Sequence, residues 1–523
     1  MHIISAGRLG CVAALACMLT SLAAAADDSG RNLQQWRRVA LDRAINATGA
    51  ISDPYRRAEA LAGIARAQVA ADDAPAAEAA IRSALVAANQ VAESAFRDWA
   101  LHDIVLAQIA ADDPIGAAQT ADRIETTRPR GAAFAVIAGI QLRGGNLLAA
   151  QATAARIKND DSRSEVLRQI VAIQAARDAL PSARETLRRI DDPFYQAYAL
   201  GDIAVAEVHR GNIKAAEALA ARARRNYRSL VYGRVALARV EGGDVRGGMD
   251  TLNRIDDPLY RAVTQARIAS ARATAGDAAE AQRLFTASLA GIEAFPEDPY
   301  RRATTLSQVA RLQIAGDDRP GARQTLRRAL ALATDVKTEQ QRDDVLDLIA
   351  RGQARAGDSD AALTTAASVT DRIARALLIR DVVTVRAERD DTSLAGVPNS
   401  DDPLMQAAAL FGLLGAQLTK MNMVVTAATI DAAHDAVRSI REAELRPAAF
   451  AALASARSVI HDIDGAATIF DESLAATETI AREEQRALAY TRIVDALNER
   501  LLFLGQPARD ERTSGAGGAA GRP

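Results

Sequence analysis

Along most of the chain, apolar residues recur at helical spacing inside a block that repeats every 32 to 41 residues. One aliphatic position, called the anchor here, marks each block. In nearly every block a second apolar residue stands three positions earlier, so the two share one face of a helix. The anchors are Ile64, Ile104, Ile137, Ile170, Ile203, Val235, Ile268, Val309, Ile349, Val382, Leu414, Leu453 and Ile493. The pattern predicts helices that bury their apolar faces by stacking on their neighbours.

A polar turn follows most anchors by about nine residues, and a second helix follows the turn. The turn residue is Asp or Asn, as at Asp73 and Asn146, types that end one helix and cap the next. Several turns place Gly just before it, as at Gly276, where a left-handed helix end carries no Cβ penalty. A small residue such as Ala77 recurs thirteen positions past the anchor. Units then close with Asp-Pro, which starts the next helix.

Two unit lengths coexist, because successive anchors lie either 32–33 or 39–41 residues apart. The difference of about seven residues predicts two extra turns, or roughly 10 Å, in one helix of the longer units. The pattern is incomplete at both ends. Residues 31–50, with Trp36, look like a half-unit cap, and Ile493 begins a final half-unit.

Composition and charge exclude several classes of protein. The chain has 523 residues, 49% hydrophobic and 25% charged, which is globular and rules out wholesale disorder and collagen. Its 64 basic and 66 acidic residues leave a net charge of −2, so nucleic acid is not an expected partner. No internal linker rich in Gly, Pro or Ser divides the chain, which favours one long repetitive body.

The first 26 residues have the features of an export signal. They hold one charge, Arg8, followed by 18 uncharged, Ala-rich residues that end in Ala-Ala-Ala at 24–26. We therefore expect a cleaved signal peptide, a periplasmic or secreted protein, and no stable membrane span afterwards. A retained anchor and a lipoprotein modified at Cys17 are the alternatives. Cys11 and Cys17 both lie in this segment, so the mature chain would carry no thiol.

A typical unit contains, in order, an aliphatic residue followed by a small one, a Gly or Asp turn, a small residue in the second helix and a closing proline. This order resembles the tetratricopeptide repeat (TPR) family. The resemblance covers about residues 55–500, some twelve units. It implies an all-α fold, a right-handed TPR-like solenoid of αα-hairpins over 53–504. A linker and capping helix at 27–52 and a disordered tail at 505–523 complete the expected organisation. HEAT-like and other αα-hairpin repeats remain alternatives for the longer units.

Long polar residues stand four positions past the anchor in eleven of twelve units. They are Gln68, Gln108, Gln141, Gln174, Glu207, Arg239, Arg272, Gln313, Gln353, Arg386 and Arg457. They would form a ladder of side chains about 9–10 Å apart along the stack. Two interpretations stay open. The ladder either hydrogen-bonds within and between repeats, since buried polar groups need partners, or it lines a groove that grips an extended peptide or glycan.

Other candidate binding residues stand two positions past their anchors and are expected on the concave surface with His102. Together with members of the ladder they give the predicted partner-binding set of Arg66, Gln68, His102, Gln108, Arg311, Gln313, Arg351 and Gln353. A solvated face is the alternative for the arginines. The Arg pairs after Asp-Pro, as at 56–57, most simply cover the first helical turn. The isolated His434 is predicted to be a packed histidine.

The sequence contains no HExxH, GxSxG, phosphate-binding loop or dinucleotide fingerprint, so we expect no enzyme, no cofactor and no metal. The favoured function is an exported, periplasmic scaffold that binds a protein or peptide partner on its concave surface. The alternative is a carbohydrate-binding or carbohydrate-active protein of the cell envelope, which would stack sugars on aromatic rings. Many of the 9 Phe, 8 Tyr and 2 Trp fall at core registers, which disfavours it.

Overall fold

The computed structural model describes residues 32–498 apart from 296–297, 390–392, 395–396 and 421–422. The predicted signal segment and tail lie outside the described residues. Within them the chain forms helices and no strand. Helix α1 spans residues 32–48. The other helices are α2 Pro54–Ala70, α3 Ala74–Asn89, α4 Ser94–Ala110, α5 Pro114–Asp122, α6 Thr127–Arg143, α7 Leu147–Ala155, α8 Asp160–Ala176, α9 Leu180–Leu187, α10 Pro193–His209, α11 Ile213–Arg222, α12 Arg225–Glu241, α13 Val245–Leu252, α14 Pro258–Thr274, α15 Ala278–Glu293, α16 Pro299–Ala315, α17 Arg319–Ala333, α18 Glu339–Ala356, α19 Ser359–Ala367, α20 Arg372–Arg389, α21 Pro403–Thr419, α22 Met423–Arg438, α23 Arg446–Val459, α24 Ile463–Glu478 and α25 Glu483–Asn498.

The fold is the predicted all-α solenoid of hairpins. Each anchor lies in the first helix of its hairpin, and the anchors are buried, as Ile64 and Ile203 illustrate. The Asp-Pro pairs start first helices as predicted. The Asp53 carboxylate, for example, accepts the backbone N–H of Tyr55 at 2.8 Å, with Pro54 in the first turn. The small residues thirteen past the anchor are buried where the two helices of a hairpin meet.

In ten hairpins of the described residues, the turn is closed by a residue in the left-handed region. Five of these residues are glycines with φ between 76° and 90°, such as Gly276. Five others are not: Asp72, Asp112, Asp178, Asp317 and His461 have φ of 57–63°. The N–H of the following residue returns to the helix it left, as Asp277 N–H does to the Arg272 carbonyl at 2.9 Å. One backbone geometry therefore serves both residue types.

The two predicted unit lengths arise in the second helix of the hairpin. Helices α5, α7, α9, α11, α13 and α19 have 8 to 10 residues. Helices α3, α15, α17, α22 and α24 have 15 or 16. First helices are more uniform, and most have 17 residues. The expected two-turn extension is confirmed.

The chain divides into two compact units. One contains α1–α4 and α21–α25, and the other contains α5–α20. In the first unit the first and last described helices pack together: α2 lies against α25, and α1 lies against α24 and α25. Helix α25 carries the last anchor, Ile493. Among the described residues, α1 packs against α24 and α25 from the N-terminal part of the sequence.

The contact between α1 and the C-terminal helices, called the seam here, is both apolar and polar. Trp36 stacks on Phe470 with ring centroids 5.2 Å apart and planes at 16°. The Arg37 guanidinium donates to the Leu497 carbonyl at 2.8 Å. Arg43 lies 3.7 Å from the Glu478 carboxylate. Helix α1 therefore contacts the C-terminal helices through a ring contact, a hydrogen bond and an ion pair.

The seam should weaken at alkaline pH. Burial, together with a hydrogen bond to the Glu478 carboxylate, raises the pKa of Tyr490 from 10.0 to about 12. A phenol that is harder to ionise when folded stabilises the fold below pH 10, and this contribution is lost as pH rises through about 12. Between pH 10 and about 12, the unfolding temperature should fall more steeply with pH in the wild type than in Tyr490→Phe. Equal slopes for the two proteins would contradict the assignment.

Candidate functional site

A wide cavity of the second unit crosses its first helices. It is a groove of about 670 Å³ that runs over α10, α12, α14 and α16 and reaches Leu348 on α18. Five aromatic side chains line it: Phe194, Tyr198, Tyr227, Tyr260 and Tyr300. Apolar residues stand between the rings, notably Leu230, Val263 and Leu348. We call this surface the aromatic groove.

The sequence positions these rings through the start of each first helix. Tyr227, Tyr260 and Tyr300 lie within the first three residues of α12, α14 and α16. Phe194 lies in the first turn of α10, and its ring centroid is 5.0 Å from that of Tyr198 and 5.9 Å from that of Tyr227. These edge-on contacts hold neighbouring repeats together and fix the ring orientations.

Glycines let the neighbouring first helices approach beside the groove. A Cβ on Gly233 of α12 would lie 2.8 Å from Thr264 Oγ1 and 2.9 Å from Tyr260 Cε1 on α14. A Cβ on Gly201 of α10 would lie 2.8 Å from the Arg234 side chain. Both distances are below ordinary contact, so a larger residue would displace the side chains that line or border the groove.

The aromatic groove carries little net charge. Its two charged lining residues pair with each other, since the Arg301 guanidinium donates to the Asp257 carboxylate at 3.0 Å. Asp257 also caps α14 by accepting the Tyr260 N–H at 2.8 Å. Burial raises the pKa values of the Tyr260 and Tyr300 phenols. They are therefore neutral hydroxyl groups at physiological pH.

The first helices also carry charged pockets, which lie nearer their C-terminal ends. A cavity of about 420 Å³ over α8, α10 and α12 has an alanine-rich floor and two ion pairs at its rim. These are Asp202 with Arg234 at 2.5 Å and Asp178 with Arg210 at 3.0 Å. The surface thus changes from aromatic to charged along the direction of the helices.

The candidate residues of the second unit separate into exposed and buried ones. Arg311 is exposed. Arg351 lines a pocket of about 230 Å³, bonds both Asp347 carboxylate oxygens at 3.0 Å and pairs with Asp381 on α20. Gln313 is buried, where its amide donates to Asp318 at 2.9 Å and accepts from Thr325 at 2.7 Å. Gln353 is buried in the same register.

The candidate residues of the first unit separate in the same way. Arg66 is exposed, whereas Gln68 and Gln108 are buried in their hairpins. His102 is buried with its ring edge-on to Trp99 at 5.4 Å, and its Nδ1 lies 3.3 Å from the Asp103 carboxylate. A partner-binding role for these eight residues stays a prediction.

Much of the polar ladder forms hydrogen bonds within hairpins and between neighbouring hairpins. Arg239 illustrates the arrangement: it contacts Asp244 nine positions past the anchor, Thr251 sixteen past it, and Glu217 on α11. Glu207 is buried, which by itself would raise the pKa of its carboxyl, but hydrogen bonds from Asn212 and Arg184 outweigh burial and lower it. The hydrogen-bonding interpretation of the ladder therefore describes these members.

Two other packing features bear on the sequence predictions. His434 is packed as predicted, with its ring edge-on to Phe450 and Nε2 2.8 Å from the Glu472 carboxylate. The arginines in the first helical turns were predicted only to cover these turns, but they also form hydrogen bonds. Arg57 and Arg261 each donate to the carbonyl six residues earlier, at 2.9 and 2.8 Å. These bonds tie α2 and α14 to the ends of the preceding units.

The sequence did not predict the aromatic groove, because many of the aromatic residues were assigned to core registers. A signal was present: aromatic residues stand directly or almost directly after Asp-Pro, as in Phe194, Tyr260 and Tyr300. That position is in the first helical turn, before the apolar stripe that faces the second helix begins. An aromatic residue there can border solvent while its backbone is fixed by the Asp cap.

No protein-family model and no curated protein matches the chain. Solved structures similar to it include Ton1535 from Thermococcus onnurineus NA1, at 16% identity and a TM-score of 0.21, covering 68% of this chain and 97% of that one. The human IFIT1 dimer with m7Gppp-AAAA is 12% identical with a TM-score of 0.22, covering 81% and 95%. A circular tandem repeat protein is 13% identical with a TM-score of 0.11, covering 85% and 90%. TM-scores this low carry no argument about function.

Two further properties concern the described residues. No helix among them is both long and apolar enough to cross a bilayer. No group of three or more His, Cys, Asp or Glu side chains there could hold a metal ion. The fold and the groove together define a helical-repeat protein with an open aromatic surface.

Proposed function

We propose that the chain is a non-catalytic, TPR-like scaffold that binds an extended segment of a partner protein in the aromatic groove. The observation that carries the proposal is the row of five rings across successive first helices. Tyrosine and phenylalanine give large, rigid contact areas at low entropic cost, which is why they are enriched at protein interfaces. The proposed surface rests on these rings rather than on the buried ladder glutamines.

The size of the aromatic groove suits an extended polypeptide. It reaches across five first helices, from α10 to α18. With helices about 9 Å apart, the span is about 36 Å. An extended chain covers about 3.3–3.6 Å per residue, so the groove would hold about ten residues.

The composition of residues 1–26 supports export, and we propose that the protein lies in the periplasm.

A charge placed in the groove should abolish partner binding. Leu348 is 43% exposed at the edge of the aromatic groove, so Leu348→Glu should fold normally and repel an apolar partner. The matched control is Leu148→Glu, because Leu148 is 80% exposed on the second helix α7. Quantitative affinity capture from the envelope fraction should recover a partner with wild type and Leu148→Glu. Recovery with Leu348→Glu should fall at least about tenfold.

Equal recovery by all three proteins would refute the groove as the binding surface. Circular dichroism of the variants checks that the helices are intact. A glycan is the second candidate ligand, and the row of aromatic rings is the observation that favours it. Binding of an envelope polysaccharide to wild type and Leu148→Glu, but not to Leu348→Glu, would support that alternative.

A further inference from the structure

We propose that the aromatic groove binds a proline-rich segment in the polyproline II conformation, an inference that rests on the proposed function and names the chemistry of its partner. The first argument is periodicity. Tyr227, Tyr260 and Tyr300 stand one per helix near the starts of α12, α14 and α16. Packed helices lie 8–10 Å apart. One turn of polyproline II, three residues of 3.1 Å, rises about 9 Å. Each turn of the ligand would therefore meet the next ring.

The second argument is charge. Asp257 and Arg301 neutralise each other at 3.0 Å, and they are the charged residues that line the groove. A strongly charged segment would lose hydration there, because the two lining charges already satisfy each other. A segment of uncharged residues has no such cost. The neutral lining thus complements a proline-rich stretch, unlike the charged pocket at Asp202 and Arg234.

The third argument is hydrogen bonding. A polyproline II chain makes no internal hydrogen bonds, and proline has no N–H, so such a segment presents carbonyl acceptors and lacks donors. The groove offers the complementary groups. The hydroxyls of Tyr198, Tyr227 and Tyr300 make no hydrogen bond to other described residues. Each can donate to a ligand carbonyl while its ring contacts a pyrrolidine ring.

The apolar residues between the rings favour this ligand over a glycan. Leu230, Val263 and Leu348 offer no hydrogen-bonding side-chain group. Sugar hydroxyls buried against them would lose water without a new partner, at about 1–3 kcal/mol for each group. Pyrrolidine rings need no such partner. The alternation of phenol and aliphatic side chains therefore suits a chain whose polar groups are confined to its backbone.

The test is a fluorescence-anisotropy titration of the chain beginning at residue 27 with a fluorescein-labelled peptide of twelve prolines, which is about 37 Å long. We expect saturable binding to wild type and unchanged affinity for Leu148→Glu. Tyr227→Ala and Leu348→Glu should each bind at least about tenfold more weakly. A flexible Gly-Ser peptide of equal length should bind at least about tenfold more weakly than the proline peptide, because it must be ordered first.

Each other outcome overturns the proposal. Absence of proline-peptide binding refutes this ligand class, as does binding that Tyr227→Ala and Leu348→Glu leave unchanged. Equal affinity for the Gly-Ser peptide refutes the preference for polyproline II. Binding of chitohexaose in place of the proline peptide assigns the groove to glycans. If the proline peptide fails while Leu348→Glu still abolishes partner capture, the proposed scaffold stands and only the ligand class is wrong.

Discussion

Replacing Trp36 by alanine should lower the free energy of unfolding of the first unit by about 3–5 kcal/mol. Trp36 is only 8% exposed and stacks on Phe470, so its removal leaves a cavity in the seam that joins α1 to α24 and α25. Hydrogen exchange followed by mass spectrometry should report the change locally. Amides of α1, α24 and α25 should exchange faster, while those of α12–α16 in the second unit should not change.

Two further variants make this prediction specific. Trp36→Phe keeps a stacked ring and should lose much less stability than Trp36→Ala. The chain contains two tryptophans, Trp36 and Trp99, so Trp99→Phe leaves Trp36 as the sole indole reporter of the seam. Its emission should shift to longer wavelength when the seam opens. Unchanged exchange in α1 and α24 after Trp36→Ala would show that the seam does not hold these helices.

Replacing Arg239 by alanine should destabilise the second unit by about 2–3 kcal/mol. The Arg239 side chain is 13% exposed and bonds Glu217, Asp244 and Thr251 at 2.8–3.0 Å. Its loss leaves two carboxylates and a buried hydroxyl without this donor. Denaturant unfolding of the full chain, fitted with one transition per unit, would measure the change.

The controls for Arg239 come from the repeats themselves. Gln313 occupies the same register and makes the equivalent bonds to Asp318 and Thr325, so Arg239→Gln should retain part of the lost stability. Arg188→Ala removes an arginine that is 71% exposed and pairs with Glu185, and it should cost less than about 0.5 kcal/mol. Equal effects of Arg239→Ala and Arg188→Ala would contradict a structural role for the ladder.

The repeat architecture was predictable because one local pattern specifies it. An anchor such as Ile203, the turn at Asn212 and the small residue Ala216 occur at fixed offsets, and backbone geometry repeats with them. The unit lengths were predictable for the same reason. An insertion of seven residues adds about two whole turns to a helix, so the helix becomes longer while its apolar face keeps its direction. These features depend on neighbours within one hairpin.

The seam and the aromatic groove were not predictable because they depend on residues far apart in sequence. Nothing local to Trp36 identifies Phe470 as its partner, although an incomplete unit at each end of the chain was a signal. The groove requires knowing that Phe194 and Tyr227 meet across a helix pair at 5.9 Å. In the ladder, the register was visible, but the identity of partners such as Glu217 for Arg239 was not.

The seam also sets an order of events during synthesis. The Leu497 carbonyl that Arg37 contacts lies 460 residues further along the chain. At translation rates of about 5–20 residues per second, helix α1 waits about 20–90 s before its partner exists. Until then Trp36, which is buried in the finished structure, lacks the Phe470 ring on which it stacks. Helix α1 is thus made long before the helices it docks on, and its apolar face is available to chaperones in the interval.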